Sequence, residues 1–451
     1  MRRSRGVMEQ RKYKTKQEVL IRGQEAIGKT LGEIDKTGRI ATGKGAIGTA
    51  IEESWFGYKP NNKPVPDFEE AGVELKVTPY KQTSKGVSAK ERLVCTMLNY
   101  EKECDKTFET SEFWQKCSCM LIMFYQYKKG TKKKKLKIEK VILLEFSEED
   151  LEIIRNDWKI IIDKVRNGQA HLISERDTMY LSACTKGRNA RDITTQPYSS
   201  NPAKRRAYSL KTGYMTQILR QRAFSCTPGE KIIKNPEELR TSTFENKVEE
   251  MFQPYIGMSR TNLKKRFGIT SSAKNINELI LSKMLGIKGK PKNADEFKKA
   301  YITPKTITIK MNGNVRESVS FPAIDFCKII NETWETSTLY DELTSRRFLF
   351  VVFEKKDDGE CYFKKVKFWS IPNEDLEKVH HVWDRTVEIL KNSKNEKGKK
   401  LKFPRKSESK VAHIRPHGKN KNDTAKLPNG NCMTKQSFWL NNQYIAEQVE
   451  K

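Results

Sequence analysis

The sequence predicts an α/β protein built as two tandem copies of one domain, each a mixed β-sheet flanked by helices. Three observations support this. Four short patterns recur in the same order at a nearly constant spacing of about 225 to 231 residues. Within each copy the apolar periodicity passes from the helical period to the strand period and back. The chain's 451 residues also exceed what one hydrophobic core organises, since single cores stop growing at about 250–300 residues.

The recurrences are specific. Phe108-Glu-Thr-Ser111 returns as Trp334-Glu-Thr-Ser337, and Glu149-Asp-Leu-Glu152 before Trp158 returns as Glu374-Asp-Leu-Glu377 before Trp383. Gly187-Arg-Asn189 returns as Gly418-Lys-Asn420, and Tyr208-Ser-Leu-Lys-Thr-Gly-Tyr214 pairs with Phe438-Trp-Leu-Asn-Asn-Gln-Tyr444. A spacing this long is a duplicated domain, not a solenoid repeat. The first copy is expected over residues 1–225, a polar linker with Pro228 and Gly229 over 226–242, and the second copy over 243–451.

Helices are expected first in each copy, over Gln17–Ile34 and Ala46–Phe56, then over Phe244–Phe267 and Ile276–Leu285. Strands follow at Val73–Thr78, Leu121–Tyr127 and Val141–Phe146, and at Thr306–Lys310 and Phe348–Phe353. A long helix comes next in each (Glu148–Gly168; Asn373–Lys391), before a loop and a late helix. Strands with helices on both sides in sequence make a mixed α/β sheet. The lysine-rich tracts Lys128–Lys137 and Lys391–Lys406 read as solvated loops.

Charge narrows the partner. There are 87 Lys and Arg against 57 Asp and Glu, a formal charge of +30, and an excess spread along the chain suits a polyanion. Nucleic acid is the expected one, because no amphipathic membrane helix or lipidation signal is evident. The nine cysteines lack metal-ligand spacing, so buried free thiols in a reducing compartment are expected. No apolar run reaches membrane-spanning length and Met1-Arg-Arg-Ser-Arg5 lacks a secretion signal's apolar segment, so the expected location is the cytoplasm.

The chemistry-bearing pattern is Asp67 followed by Glu74-Leu-Lys76. In a strand Glu74 and Lys76 share one face while Val73, Leu75 and Val77 pack on the other. The Pro64-Val-Pro66 approach turns Asp67 back toward Glu74. Adjacent carboxylates repel unless a cation lies between them, and hard oxygen ligands suit Mg²⁺. Taken alone, the triplet is also what a solvated strand edge produces; Glu245-Asn-Lys247 and Glu354-Lys-Lys356 are further Glu-x-Lys triplets. The duplication separates the readings. The shift that carries Trp55-Phe-Gly57 onto Met284-Leu-Gly286 carries Asp67, Glu74 and Lys76 onto Glu296, Thr303 and Lys305. It carries Glu53, one α-turn before Gly57, onto Ser282. The second copy keeps the scaffold and loses acids, as a non-cutting partner domain would.

Gly45-Ala-Ile-Gly48 with Glu53, then Lys63-Pro64, Asp67 and Gly72-Val-Glu-Leu-Lys76, resembles the MutH-type endonucleases. It resembles equally the MutH/Sau-type GATC-specific restriction endonucleases (type II) related to them, all PD-(D/E)xK nucleases. Thr107–Ser111 with Lys116, Glu149–Leu151 with Asp157-Trp158, Cys184–Asn189 and Tyr208–Lys211 extend the likeness through the first copy. The resemblance implies two tandem restriction-endonuclease-like (MutH-like) domains. It implies Asp67 and Glu74 as Mg²⁺ ligands, Lys76 as catalytic lysine, Glu53 as an additional acid and Lys116 as a further active-site lysine, which falls on Glu342 in copy two. Lys186, Arg188 and Asn189 would read GATC in the major groove, with Tyr208 and Lys211 nearby. Arg415, His417 and Lys419 would be the matching DNA-binding residues of copy two, His417 standing at the Lys186 position. As metal ligands at i and i+4, His413 and His417 are disfavoured by the intervening Pro416.

The expected function is therefore a Mg²⁺-dependent double-strand cut of DNA at 5′-GATC-3′, with an inactive second copy holding an effector site. Double-stranded DNA is the expected partner, at two sites per active complex, bound by a monomer or a DNA-induced dimer. A methyl-directed repair-type nickase and a non-catalytic DNA-binding protein are the alternatives, as is a purely structural second copy.

Overall fold

The computed structural model describes residues 12–41, 45–58, 60, 64–84, 86–187, 192–270, 275–393 and 401–451. The chain divides into two compact units, residues 1–244 with 298–300, and residues 245–297 with 301–451. Each is built from the same parts.

The first unit contains β1 (Glu74–Thr83), β2 (Gly86–Ala89), β3 (Leu93–Leu98), β4 (Cys119–Gln126), β5 (Ile138–Glu145), β6 (Leu181–Thr185), β7 (Ile193–Gln196), β8 (Ser199–Lys204) and β9 (Arg206–Leu210). Its main sheet has the order β2-β1-β4-β5, with β1 and β4 parallel and the other pairs antiparallel. A second sheet runs β3-β9-β6, and β7 and β8 form a separate hairpin. β4 is buried along most of its length because helices cover the sheet; such a strand reads as a continuous apolar run, Met120-Leu-Ile-Met-Phe124.

The second unit contains β10 (Ile302–Ile309), β11 (Val319–Ala323), β12 (Arg347–Lys355), β13 (Cys361–Trp369), β14 (Ala412–Pro416), β15 (Thr424–Lys426), β16 (Cys432–Thr434) and β17 (Gln436–Leu440). Again a parallel pair is followed by an antiparallel one, β10-β12-β13, and a second sheet runs β11-β17-β14 beside the hairpin β15-β16. The duplication is thus a duplication of topology. It reaches individual bonds. Ser111 caps its helix by accepting from the Trp114 N–H at 3.1 Å, and Ser337 accepts from Tyr340 at 3.1 Å. The Tyr214 hydroxyl donates to Asp150 at 3.1 Å, and Tyr444 donates to Asp375 at 2.8 Å.

Several elements differ from the sequence reading. The helix expected over Gln17–Ile34 is two, Lys16–Gln24 and Leu31–Ile34, separated at Gly28, whose φ of +86° ends the first. Phe244–Phe267 is likewise broken, at Pro254, into Phe244–Phe252 and Arg260–Arg266. The strand β13 carries lysines at 364, 365 and 367 and leaves only Phe363 and Trp369 fully buried, so its apolar period is weak. Residues 226–242 pack instead of spanning freely. Ile232, Ile233 and Leu239 are buried, Lys231 pairs with Glu149 at 2.6 Å, and Arg240 pairs with Glu148 at 3.0 Å. All nine cysteines are free as expected, but Cys226, Cys327 and Cys432 are exposed. Among the described residues no helix is long and apolar enough to cross a membrane.

Removing either serine cap tests the structural equivalence of the copies. Ser111→Ala and Ser337→Ala should each cost about 1 kcal/mol, read as a lowered urea midpoint for the unit that carries the change.

Candidate functional site

The site starts with a tight reversal. Phe68 and Val73 exchange backbone hydrogen bonds of 3.0 and 3.2 Å across a turn closed by Gly72 at φ +64°. That bridge sets Asp67 opposite Glu74 at the first residue of β1. The Asp67 N–H donates to Glu74 Oε2 at 3.2 Å, and the Leu75 N–H donates to Asp67 Oδ2 at 2.9 Å. The Glu74 carboxylate is therefore aimed by the backbone of Asp67, and the Asp67 carboxylate by that of Leu75, the residue after Glu74. On the far face, Val73 and Leu75 enter a core with Phe56, Phe68 and Leu121. The alternation expected of β1 is what separates core from site.

Lys76 reaches back along the site face and donates to Glu74 Oε1 at 2.8 Å and to the Cys95 carbonyl at 2.7 Å. Lys116, on the short helix Glu112–Cys117 that leads into β4, lies 3.5 Å from the same Glu74 oxygen. The expected set of Asp67, Glu74, Lys76 and Lys116 is thus gathered in one place.

The glutamate placed beside Asp67 is Glu52, whereas the expected Glu53 points elsewhere. The helix Ala46–Ile51 continues into a π-turn over Glu52–Phe56, closed by the Gly57 N–H donating to the Glu52 carbonyl. A π-turn takes one residue more than an α-turn, so the position one turn before Gly57 shifts from 53 to 52. Glu52 hydrogen-bonds Asp67 and feels Glu74. Glu53 turns away to Arg39 at 2.9 Å. Nothing in the local pattern Glu52-Glu53-Ser54 announces the wider turn, so counting at the α-helical period points to Glu53.

Three carboxylates share this pocket of charge with two lysines. Glu74 is only 2% exposed. Burial pushes its carboxyl up to about 7, although Lys76 and Lys116 oppose the shift. Burial also pushes Glu52 up to about 8, with Asp67 and then Glu74 adding to the effect. Lys76 is held protonated: burial works against its charge, but the neighbouring Cys117 thiol and Glu74 outweigh it. Among the described residues no preformed cage of three or more His, Cys, Asp or Glu ligands exists. A hard divalent cation binding here would displace the protons that the raised pKa values of Glu74 and Glu52 favour. Mg²⁺ in particular uses one or two protein carboxylates and fills its remaining positions with water and phosphate oxygens. Asp67 and Glu74 fit that requirement.

The corresponding place in the second unit is rebuilt. Thr303 and Lys305 lie on β10 beside Phe348 and Phe350 of β12, as Glu74 and Lys76 lie on β1 beside Met120 and Ile122 of β4. Leu281 and Ser282, buried in the regular helix Ile276–Met284, occupy the stretch matching Glu52 and Glu53. Burial, Arg346 and Lys292 all lower the pKa of Lys305, the reverse of the field around Lys76. Glu342, expected opposite Lys116, pairs with Arg346.

The other expected residues divide. Lys186 is exposed where β6 ends; Arg188 and Asn189 lie outside the described residues. Tyr208 is not a surface residue. It is fully buried in the central strand β9, its ring against Phe113 and its hydroxyl donating to Glu103 at 3.2 Å. Lys211 is also turned inward, donating to the Thr178 carbonyl beside buried Asp157. All five residues of β9 are buried, so both faces of the strand are covered whatever the polarity of its side chains. In the second unit Arg415 lies exposed over the Trp439 ring at 3.8 Å, and His417 meets the same ring edge-on at 4.7 Å. Lys419 is exposed, whereas His413 is buried and bonded to Asn441 at 2.5 Å, apart from any metal role.

Comparison with known proteins decides the family. A Type II restriction enzyme of Staphylococcus aureus, Sau3AI, is 39% identical over 484 aligned residues, covering 97% of this chain and 99% of that one. The chain belongs to the MutH/Sau-type restriction endonucleases. The family model for the DNA mismatch repair enzyme MutH matches twice, at residues 56–157 and 285–381. The two matches begin at the offset that carries Asp67 to Glu296, so both units of this restriction endonuclease relative are MutH-like. The MutH protein of Shewanella woodyi is 28% identical, covering 47% of this chain and 93% of its own. That of Escherichia coli O127:H6 is 29% identical, covering 40% and 80%.

Two measurements check this geometry. Glu52→Gln should lower DNA cleavage by at least about a hundredfold, as loss of a transition-state interaction does, while Glu53→Gln stays near the parental rate. The raised acids also fix a sign. Between the unfolded carboxyl values near 4.5 and the folded values of about 7 and 8, the folded state holds more protons. Stability should therefore fall as pH rises through that window. Thermal melting should show this decline, reduced in Glu52→Gln and reversed by millimolar Mg²⁺ most strongly near pH 8.

Proposed function

We propose that this chain is a type II restriction endonuclease that hydrolyses both strands of DNA within 5′-GATC-3′ in a Mg²⁺-dependent reaction. The first copy would cut, and the second would bind another DNA site and activate cutting. The observation that carries this is the asymmetry between copies: Asp67, Glu74, Lys76 and Lys116 converge in one, while Thr303, Lys305 and the Glu342–Arg346 pair stand in the other. A protein that only bound DNA has no use for a buried acid–lysine cluster in one copy alone. The target sequence rests on the family resemblance.

The chemistry follows from the side chains. Asp67 and Glu74 would hold the ion, with Glu52 bonded behind Asp67. Bound there, it would lower the pKa of a water and offset charge on the phosphate. Lys76, kept protonated beside Glu74, can orient the attacking water or stabilise the charge that develops on phosphorus. Lys116 adds a second positive charge on the same side. The water oxygen forms a bond to phosphorus as one backbone P–O bond breaks, with no covalent enzyme intermediate. Lys186 and the loop after it would read the bases, where a bidentate contact discriminates by about 1–3 kcal/mol. In the second copy Arg415, His417 and Lys419 would do the corresponding work on a second site.

A methyl-directed nickase is the competing reading. It is less favoured because the mismatch-repair relatives match under half of this chain, whereas the restriction enzyme matches nearly all of it.

Unmethylated plasmid incubated with Mg²⁺ should be linearised and cut further, with every sequenced end at GATC. Activity unchanged in Glu74→Ala, or nicking without linearisation, would sink the proposal. DNA carrying two sites should be cut faster than DNA carrying one; equal rates would remove the effector role of the second copy. Binding should also weaken steeply with salt, with a log–log slope near −0.9 per phosphate contacted.

A further inference from the structure

The connection from β6 to β9 is an arm built for contact. Its base is closed by the Lys186 N–H donating to the Arg205 carbonyl at 2.9 Å and by the Arg205–Asp192 pair at 2.9 Å. From there β7 and β8 run out as a hairpin and turn at Pro197-Tyr198. The arm's charged residues, among those described, are Lys186, Lys204 and Arg205 against the single acid Asp192, so it suits a polyanion.

Its tip is unusual. Tyr198 is 72% exposed, the most exposed large hydrophobic side chain among the described residues. It also adopts φ +59°, at the turn position after proline where glycine or asparagine is the ordinary residue. An aromatic side chain there gains nothing from packing and strains the backbone. Strain of this kind persists only where the surroundings enforce it. They do: a Cβ on Gly168 would lie 2.5 Å from the Tyr198 carbonyl oxygen, so the backbone of the tip is seated directly on that glycine. Buried Gln196 fixes the strand behind it, accepting from the Ala170 N–H at 2.6 Å.

The second copy has the same arm without the display. The His417 N–H donates to the Lys435 carbonyl at 2.8 Å and Lys435 pairs with Asp423 at 2.5 Å, repeating the closure at Lys186, Arg205 and Asp192. Its turn, however, uses Gly430 at φ +90°, buries Leu427 and ties Asn429 to the Ser393 carbonyl at 3.2 Å. The frame is common to both copies. The first copy's arm turns on an exposed aromatic residue with a left-handed backbone; the second copy's Tyr301, at φ +58° and 44% exposed, lies just before β10 and outside its arm.

We propose that Tyr198 is a DNA-contacting residue of the first copy, its ring laid against the deoxyribose backbone of the bound duplex. Contact with the sugar carries no base code, so this residue positions the duplex without selecting its sequence. The inference requires only that DNA is the ligand; it does not depend on which sequence is cut.

The test uses the full chain and a short duplex taken from a fragment that the parent protein cuts, kept intact in Ca²⁺. Tyr198→Ala and Tyr198→Gly should bind it about 5- to 30-fold more weakly, as truncation of an aromatic interface residue does. The salt slope should stay parental, since no phosphate contact is lost. Tyr198→Phe should bind as the parent does. Melting temperature supplies the control, because Tyr198→Gly relieves the left-handed backbone and should not melt earlier. Parental affinity in both truncations would overturn the proposal. So would a loss of binding that tracks a lowered melting temperature, or a Phe variant as weak as the Ala variant.

Discussion

The site depends on negative charge that the protein gathers and does not balance. Asp67 and Glu74 are locked together through the backbone N–H groups of Asp67 and Leu75, and Glu52 is bonded to Asp67. Two lysines face the group, yet burial still pushes Glu74 and Glu52 to about 7 and 8. Left alone, such a cluster relaxes by holding protons. A hard cation and a phosphate arriving together would replace the protons with charge that the two carboxylates and Lys76 can share. The geometry needed for that exchange is already set by one turn, Phe68–Val73, and by the first residues of β1.

The rest of the fold holds those pieces in register. β1 is parallel to β4, so the helix before β4 begins close to the start of β1 and delivers Lys116 to the face of Glu74. The π-turn at Glu52–Phe56 serves the same end. It costs helix regularity, and it lets Phe56 enter the core while Glu52 faces Asp67. In the second unit the helix Ile276–Met284 has no such turn, Leu281 fills the interior, and Thr303 leaves Lys305 facing other cations. Loss of the acids and loss of the irregularity that aimed one of them go together, as expected if the π-turn exists for the site.

Much of this was legible in the sequence because repetition substitutes for alignment. The four recurring patterns mark structural equivalents: Ser111 and Ser337 are both helix caps, and Asp150 and Asp375 both accept a tyrosine hydroxyl. The strand alternation of residues 73–77 separated core from site correctly. Two placements differ from the sequence reading for physical reasons. A π-turn, which leaves no local composition signal, puts Glu52 and not Glu53 beside Asp67. Tyr208 and Lys211, expected near the DNA from the family resemblance, are turned inward: every residue of β9 is buried, and the Lys211 ammonium donates to the Thr178 carbonyl. The small sheet β3-β9-β6 was invisible because its pairings are distant in sequence.

The two copies differ in what they leave unsatisfied. In the second unit the cation Arg346 has Glu342, Asn429 has a carbonyl, and Leu427 is buried. In the first, excess carboxylate sits beside Lys76 and a bare tyrosine stands on a strained turn. Most mutations relieve such features when nothing selects against it, because each costs stability that a neutral replacement recovers. The second copy has lost the acid cluster and the exposed ring of the arm, although Lys305 among cations and Tyr301 at φ +58° remain as costs of its own. The first has kept both costs on one scaffold, where the only common gain available to a buried acid cluster and an exposed ring is a ligand that meets them together.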